Sequence, residues 1–298
     1  MSEWNGKTRG GLLGYKIFIF ILKKLGLSAA YFLLYPVAVY FLFFSQKKFI
    51  WYFYRSILKY KRRKAFVSLY QNYIMLGKVI LDRIAAMSGA ADFTFDFDGE
   101  EHLHRMAAEG KGGMLISAHL GNWEIAGNLL HRINAPVYIV MYDAEHQKIK
   151  EYLQAVETGK NMNIIVIKDD LSHIYEIHKA LANKGLVCIH ADRFVPGARH
   201  TRAMLLGHPA PIPSGPFLLA AKFAVPVTFV FAMKETNSHY HFYATPPVDI
   251  KMPGSISERN DVMNALIAKY TAELENKIML YPQQWFNYHD FWQTNTMQ

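Results

Sequence analysis

The chain has 298 residues, of which 51% are hydrophobic, 14% aromatic and 19% charged, so a large core is within reach and the charge content is low for a freely soluble protein. Its net charge of +9 is confined to one end: residues 1–65 carry 13 Lys or Arg against the single acid Glu3, and the remainder is slightly acidic. A single cysteine, Cys188, excludes a disulfide framework and a cysteine-based zinc site, and its apolar surroundings predict a buried, inert thiol.

Two apolar runs open the chain. The first, 17–22, ends at Lys23-Lys24; the second, 27–44, carries no charge and holds Pro36. About 20 apolar residues are needed to cross a bilayer, so the second run can span or dip into one leaflet. Lys47, Lys48, Arg55, Lys59, Lys61, Arg62, Arg63 and Lys64 follow. That cluster is expected to stay on the cytoplasmic side and to meet anionic lipid headgroups. Nucleic acid is the competing partner for the basic residues, but no nucleic-acid motif follows them, so none is expected to bind. A buried hairpin of a soluble domain is the competing reading of the apolar runs. Aromatic-rich segments that end in a polybasic patch fit an interface better. Residues 1–65 are therefore read as a membrane-anchoring arm and 66–298 as the catalytic domain.

From 65 to 91, apolar residues recur at threes and fours (Val67, Tyr70, Tyr73, Leu76, Ile80, Ile84), which predicts a helix. Short apolar runs then alternate with helical stretches. Strands are predicted at 93–97, 113–117, 137–141, 164–167, 186–191, 226–233 and 239–244. Helices are predicted at 101–109, 122–132, 144–156, 171–183, 215–223 and 257–280. This alternation predicts an α/β fold, with a central, largely parallel sheet flanked by helices.

The chemistry concentrates in one segment. The apolar run Met114-Leu115-Ile116 ends at Ser117-Ala118, and His119-Leu120-Gly121-Asn122-Trp123-Glu124 follows. Ligands of open α/β sheets bind beyond the carboxyl ends of strands, where His119 falls. Asn122 is suited to cap the next helix. With His119 ahead of that helix, the turn can bring it toward Glu124. A neutral imidazole can then take a proton from an attacking hydroxyl, while a carboxylate on the other ring nitrogen fixes its tautomer. A histidine in this position is often only a hydrogen-bonded core residue; the Gly-Asn-Trp-Glu continuation favours catalysis. Metal chemistry is not expected despite the 13 histidines, because no His-Glu-x-x-His pattern occurs and His102 and His104 read as surface residues. There is no Gly-x-Ser-x-Gly elbow and no phosphate-binding loop.

The segment 119–124 resembles the first motif of the late lipid A acyltransferases, the lauroyl and myristoyl transferases of the glycerolipid acyltransferase superfamily. Further matches follow in order. Ala191-Asp192-Arg193 is one. Gly207-His208-Pro209-Ala210-Pro211-Ile212-Pro213-Ser214-Gly215-Pro216 is the next. Tyr281-Pro282-Gln283-Gln284-Trp285 resembles the closing motif, with Gln283 where an acid is usual.

The resemblance implies transfer of a fatty acyl chain from an acyl carrier protein or coenzyme A thioester to a lipid-linked hydroxyl or amine. The reaction would take place at the cytoplasmic face of the inner membrane. No bound cofactor is expected, and a monomer is. It implies His119 as base with Glu124 as its partner, and Asn122, Trp123, Asp192, Arg193 and Gly215 around the substrate. Arg193 can equally be an ion-pair partner of Asp192. The basic N-terminal region can also receive an acidic carrier protein. The family often has an arginine after the strand that follows the first motif, where this chain reads Val140-Met141-Tyr142-Asp143; that weakens a phosphorylated lipid A acceptor. A catalytically inactive lipid-binding protein and a lipid hydrolase using the same dyad are the alternatives.

Overall fold

The computed structural model describes residues 12–142, 162–168, 170–193 and 198–292. Helix α1 (Leu12–Phe44) bends at Gly26, whose φ of 82° breaks the helical path. The part from Phe20 to Phe44 is long and apolar enough to cross a membrane. At 1.5 Å per residue its 25 residues span about 37 Å, against a hydrocarbon core of about 30 Å. Leu22, Ala30, Tyr31, Leu34, Ala38 and Leu42 face inward, whereas Leu25, Phe32, Val39, Tyr40, Phe43 and Phe44 are exposed. The inward residues recur mostly at threes and fours because α1 lies along helix α3 (Arg62–Met87). Between them, α2 (Lys48–Tyr52) runs into a π-helical turn, Phe53–Ile57. Ile50, Phe53, Tyr54 and Ile57 are buried in the main core, which this N-terminal segment thus shares with the strands and helices that follow.

The chain continues with β1 (Thr94–Asp98), α4 (Glu100–Glu109), β2 (Gly113–Ser117) and α5 (Trp123–Leu129). Strands β3 (Val137–Tyr142) and β4 (Met162–Ile167), helix α6 (Ser172–Ala182) and strand β5 (Leu186–His190) follow. A hairpin of β6 (His200–Leu205) and β7 (His208–Pro213) leads into α7 (Gly215–Phe223). The chain ends with β8 (Val227–Lys234), β9 (His239–Ala244) and the long α8 (Ile256–Leu280).

Seven strands form one sheet in the order β1-β9-β8-β2-β5-β3-β4. All neighbours pair in parallel except β8 with β9. The expected α/β architecture with a largely parallel sheet is therefore present, and the predicted strands fall within one or two residues of the observed ones. The middle strands are apolar along their length because both faces are covered: every residue of β2 is buried. The predicted helix 122–132 is shorter, since α5 ends at Leu129 and passes into a 3₁₀ turn, Leu130–Arg132. The helix expected at 144–156 lies outside the described residues. The β6–β7 hairpin was not expected as strands.

Strands β2 and β5 lie side by side with Ser117 opposite His190. His119 and Asp192 each stand two residues past that pair. A parallel register therefore delivers both side chains to the same carboxyl-end edge of the sheet, where such folds bind ligands.

Candidate functional site

The turn after β2 is built for a tight approach. Gly121 has φ 73°, and a Cβ there would lie 2.0 Å from the carbonyl oxygen of Ala232. Only glycine tolerates both the left-handed backbone and that contact. Asn122 donates its backbone N–H to Ala232 at 2.7 Å, and its side chain accepts from Ile125 N–H at 3.2 Å. The expected N-cap is thus in place, and it starts α5 with His119 held outside the helix.

His119 is gripped at two points by one carboxylate. Its Nδ1 lies 2.7 Å from Asp192 Oδ1, and its backbone N–H donates to Asp192 Oδ2 at 2.9 Å. Asp192 is 2% exposed and His119 18%, so the imidazole can be reached while the carboxylate cannot. Burial works against the Asp192 charge. The adjoining His119, its hydrogen bond, and then Arg193 and His190 more than offset this and hold the carboxyl well below the usual range. An ionised carboxylate only accepts, so Nδ1 carries a proton, and in the neutral ring Nε2 then presents its lone pair.

The expected carboxylate partner is corrected here: Asp192 occupies Nδ1 of His119. Glu124 instead receives Arg83 Nη1 on both its oxygens, at 2.5 and 2.6 Å. The reason is geometric. Glu124 lies in the first turn of α5, which packs against α3, and α3 presents Arg83. Trp123 stands edge-on to His190, with ring centroids 5.1 Å apart. Arg193 donates through Nη2 to the carbonyl of Phe286 at 2.9 Å. Gly215 begins α7, where a Cβ would meet nothing within 4 Å. The contacts that join the other residues do not include it.

Two residues at this edge were given no role by the sequence: His190 was not singled out, and Trp285 appeared only as part of the closing motif. His190 closes β5 and sets its ring edge-on to that of His119, centroids 4.4 Å apart and Nδ1 3.5 Å from His119 Nε2. Trp285 donates its indole N–H to Asp192 Oδ2 at 3.3 Å. Asp192 is a signal readable in retrospect: Ala118-His119 and Ala191-Asp192 both place a polar residue after a small one at a strand end.

His119, His190 and Asp192 also offer donor atoms within 4.8 Å of one another, close enough to hold a metal ion. Asp192 Oδ1 already faces His119 Nδ1, and Oδ2 accepts from the His119 backbone N–H. An ion bound through Nδ1 would have to displace the short bond to Oδ1, so the donor set suits a hydrogen-bonded dyad better.

Burial pushes two imidazoles down: His190 well below its ordinary value, with His119 adding to the effect, and His289 to about 4, with Arg193 adding to it. Unfolded histidines titrate near 6.5. As pH falls below that value the unfolded chain binds protons first, so stability is expected to decline between roughly pH 6.5 and 4. The shift of His289 alone corresponds to about 3 kcal/mol at the acid end of that window. Denaturant unfolding at pH 7.5, 5.5 and 4.5 measures this; a flat profile over that range contradicts it.

No curated protein matches the chain. Among solved structures, the 1-acyl-sn-glycerophosphate acyltransferase PlsC from Thermotoga maritima aligns with 81% of this chain and 97% of its own, at 14% identity and a TM-score of 0.37. A likeness at that level carries no functional argument. Residues 62–294 match the bacterial lipid A biosynthesis acyltransferase family, and with most of the chain covered, the protein belongs to that family and is an acyltransferase of lipid substrates.

Proposed function

We propose that the protein moves a fatty acyl chain from a carrier-protein or coenzyme A thioester to a hydroxyl or amine of a cell-envelope lipid, lipid A-type or another. The observation that carries this reading is the His119 Nδ1–Asp192 Oδ1 bond of 2.7 Å at the open edge of the sheet. Nε2 of His119 takes the proton of the acceptor hydroxyl as its oxygen attacks the thioester carbonyl. Asp192 stabilises the imidazolium that forms, as a carboxylate does behind a catalytic histidine. When the tetrahedral intermediate collapses, the C–S bond breaks and the thiolate leaves with the proton from Nε2. No serine on the protein is needed, because the acceptor supplies the nucleophile.

The outward face of α1 serves as the anchor. Phe32, Val39, Tyr40, Phe43 and Phe44 are exposed there, and the exposed bases Lys47, Lys48, Arg62 and Arg63 follow at its end. An apolar face bordered by cations fits a bilayer with anionic headgroups. This supports placement on the cytoplasmic side of the inner membrane. By sequence, positions 140–143 read Val-Met-Tyr-Asp and hold no arginine where the family often has one, which weakens a phosphorylated acceptor.

The test is His119→Ala in the full chain, assayed in membranes with a fatty acyl thioester and extracted envelope lipids. Turnover is expected to fall by roughly 100- to 10,000-fold. Near-wild-type turnover refutes the mechanism. Wild-type activity is expected in the membrane fraction, and recovery only in the soluble fraction refutes the anchoring.

A further inference from the structure

The closing motif Tyr281-Pro282-Gln283-Gln284-Trp285 has no part in the mechanism so far. Trp285 is fully buried. The rings of Phe53, Phe291 and Trp292 stand edge-on to it, with centroids 5.1, 5.2 and 5.6 Å away. Its backbone bridges to Leu120 in antiparallel fashion. On either side, Gly121 N–H donates to Gln284 at 3.0 Å and Phe286 N–H donates to His119 at 3.0 Å. The motif is therefore stitched along the whole catalytic turn. The one polar atom of the Trp285 side chain, Nε1, points at Asp192 Oδ2.

We propose that Trp285 is a positioning residue that fixes the Asp192 carboxylate for its work on His119. This inference rests on the His119–Asp192 reading above. The torsion that turns a carboxylate is soft and two-fold, so burial alone does not set its plane. Here Oδ2 takes two donors, the His119 backbone N–H and the indole N–H, which leaves Oδ1 facing Nδ1. The apolar rings around Trp285 hold the indole in place, and the indole holds the oxygen. Loss of that N–H has two consequences. The carboxylate keeps one fewer bond that defines its orientation, so kcat falls. Its charge is also less shared, so it binds the imidazolium more tightly, and the acid limb of the rate profile moves to higher pH.

The experiment is Trp285→Phe in the full chain, which keeps an apolar ring and removes the donor. Thioester transfer is measured from pH 5 to 9. A hydrogen bond to a charged group predicts a fall in kcat of about tenfold, with acceptor KM changed by less than about twofold. The acid limb is expected to rise by roughly half a pH unit or more. Phe291→Leu is the packing control: it trims the same wall without touching a polar bond, and the acid limb is expected to stay in place. If Phe does not fold at this position, site-specific benzothienylalanine at 285 keeps the indole shape and lacks only the N–H. A folded variant without the N–H that retains both kcat and the acid limb overturns this role, while the dyad stands as long as His119→Ala is inactive. Retained turnover in His119→Ala overturns both.

Discussion

Asp192→Asn is expected to lower kcat by about 10⁴-fold, the size of effect seen when the buried aspartate of a Ser-His-Asp triad is replaced in this way. The asparagine keeps the shape of the side chain but can turn its NH₂ toward Nδ1. Nδ1 must then accept, so the ring proton moves to Nε2 and the base loses its lone pair where the acceptor arrives. The neutral amide also no longer stabilises the imidazolium. Because the residue is 2% exposed, solvent cannot substitute for it. Glu124→Gln in the same assay separates the two carboxylates. It weakens the bond to Arg83 rather than any on Nδ1 of His119, so its loss is expected to stay within roughly tenfold, the scale of one weakened hydrogen bond to a charged group. A Glu124 effect as large as that of Asp192 contradicts the geometry. Unfolding midpoints of both variants show whether lost activity reflects lost fold.

The choice between those carboxylates also marks how far the sequence could be read. Periodicity found the helices and most of the strands because buried strands such as Met114–Ile116 are apolar throughout, and amphipathic helices repeat near 3.6. The N-cap at Asn122 was legible because capping is local. The partner of His119 was not. Asp192 lies 73 residues away and arrives only because β5 pairs with β2, a neighbour relation that strand composition does not encode. Glu124 is near in sequence but is drawn to Arg83 by helix packing. The β6–β7 hairpin was missed for another local reason. Pro209, Pro211 and Pro213 stand at every second position of β7, so all three share one parity in the ladder and none has an N–H to donate. Prolines usually argue against a strand, yet a strand with a single partner accommodates them on its outward-facing positions. The closing motif was recognised as a pattern, but its contact with Asp192 required the fold.

Lys234→Met is expected to destabilise the protein by about 3–5 kcal/mol, the usual cost of leaving one charge of a buried pair alone. Lys234 Nζ lies 2.5 Å from Asp82 Oδ2, with side chains 2% and 0% exposed. Asp82 also accepts hydrogen bonds from the hydroxyls of Tyr31 on α1 and Tyr240 on β9. Tyr240 in turn receives Asn122 Nδ2 at 3.0 Å, so the buried pair connects the arm to the residue that caps α5. Asp82→Asn leaves the cation alone and is expected to cost a similar amount. Replacing both, as Asp82→Leu with Lys234→Met, removes both desolvation penalties and is expected to recover much of the loss, as when buried ion pairs give way to apolar groups. The double-mutant cycle, read by denaturant unfolding, distinguishes a coupled pair from two independent contacts. Additive single losses in that cycle contradict the coupling. The activity of the double variant then tells how much of the α5 start depends on the link. Asn122 would keep its hold on Ile125 and Ala232 but lose a Tyr240 anchored by charge, so turnover is expected to fall even where stability is restored.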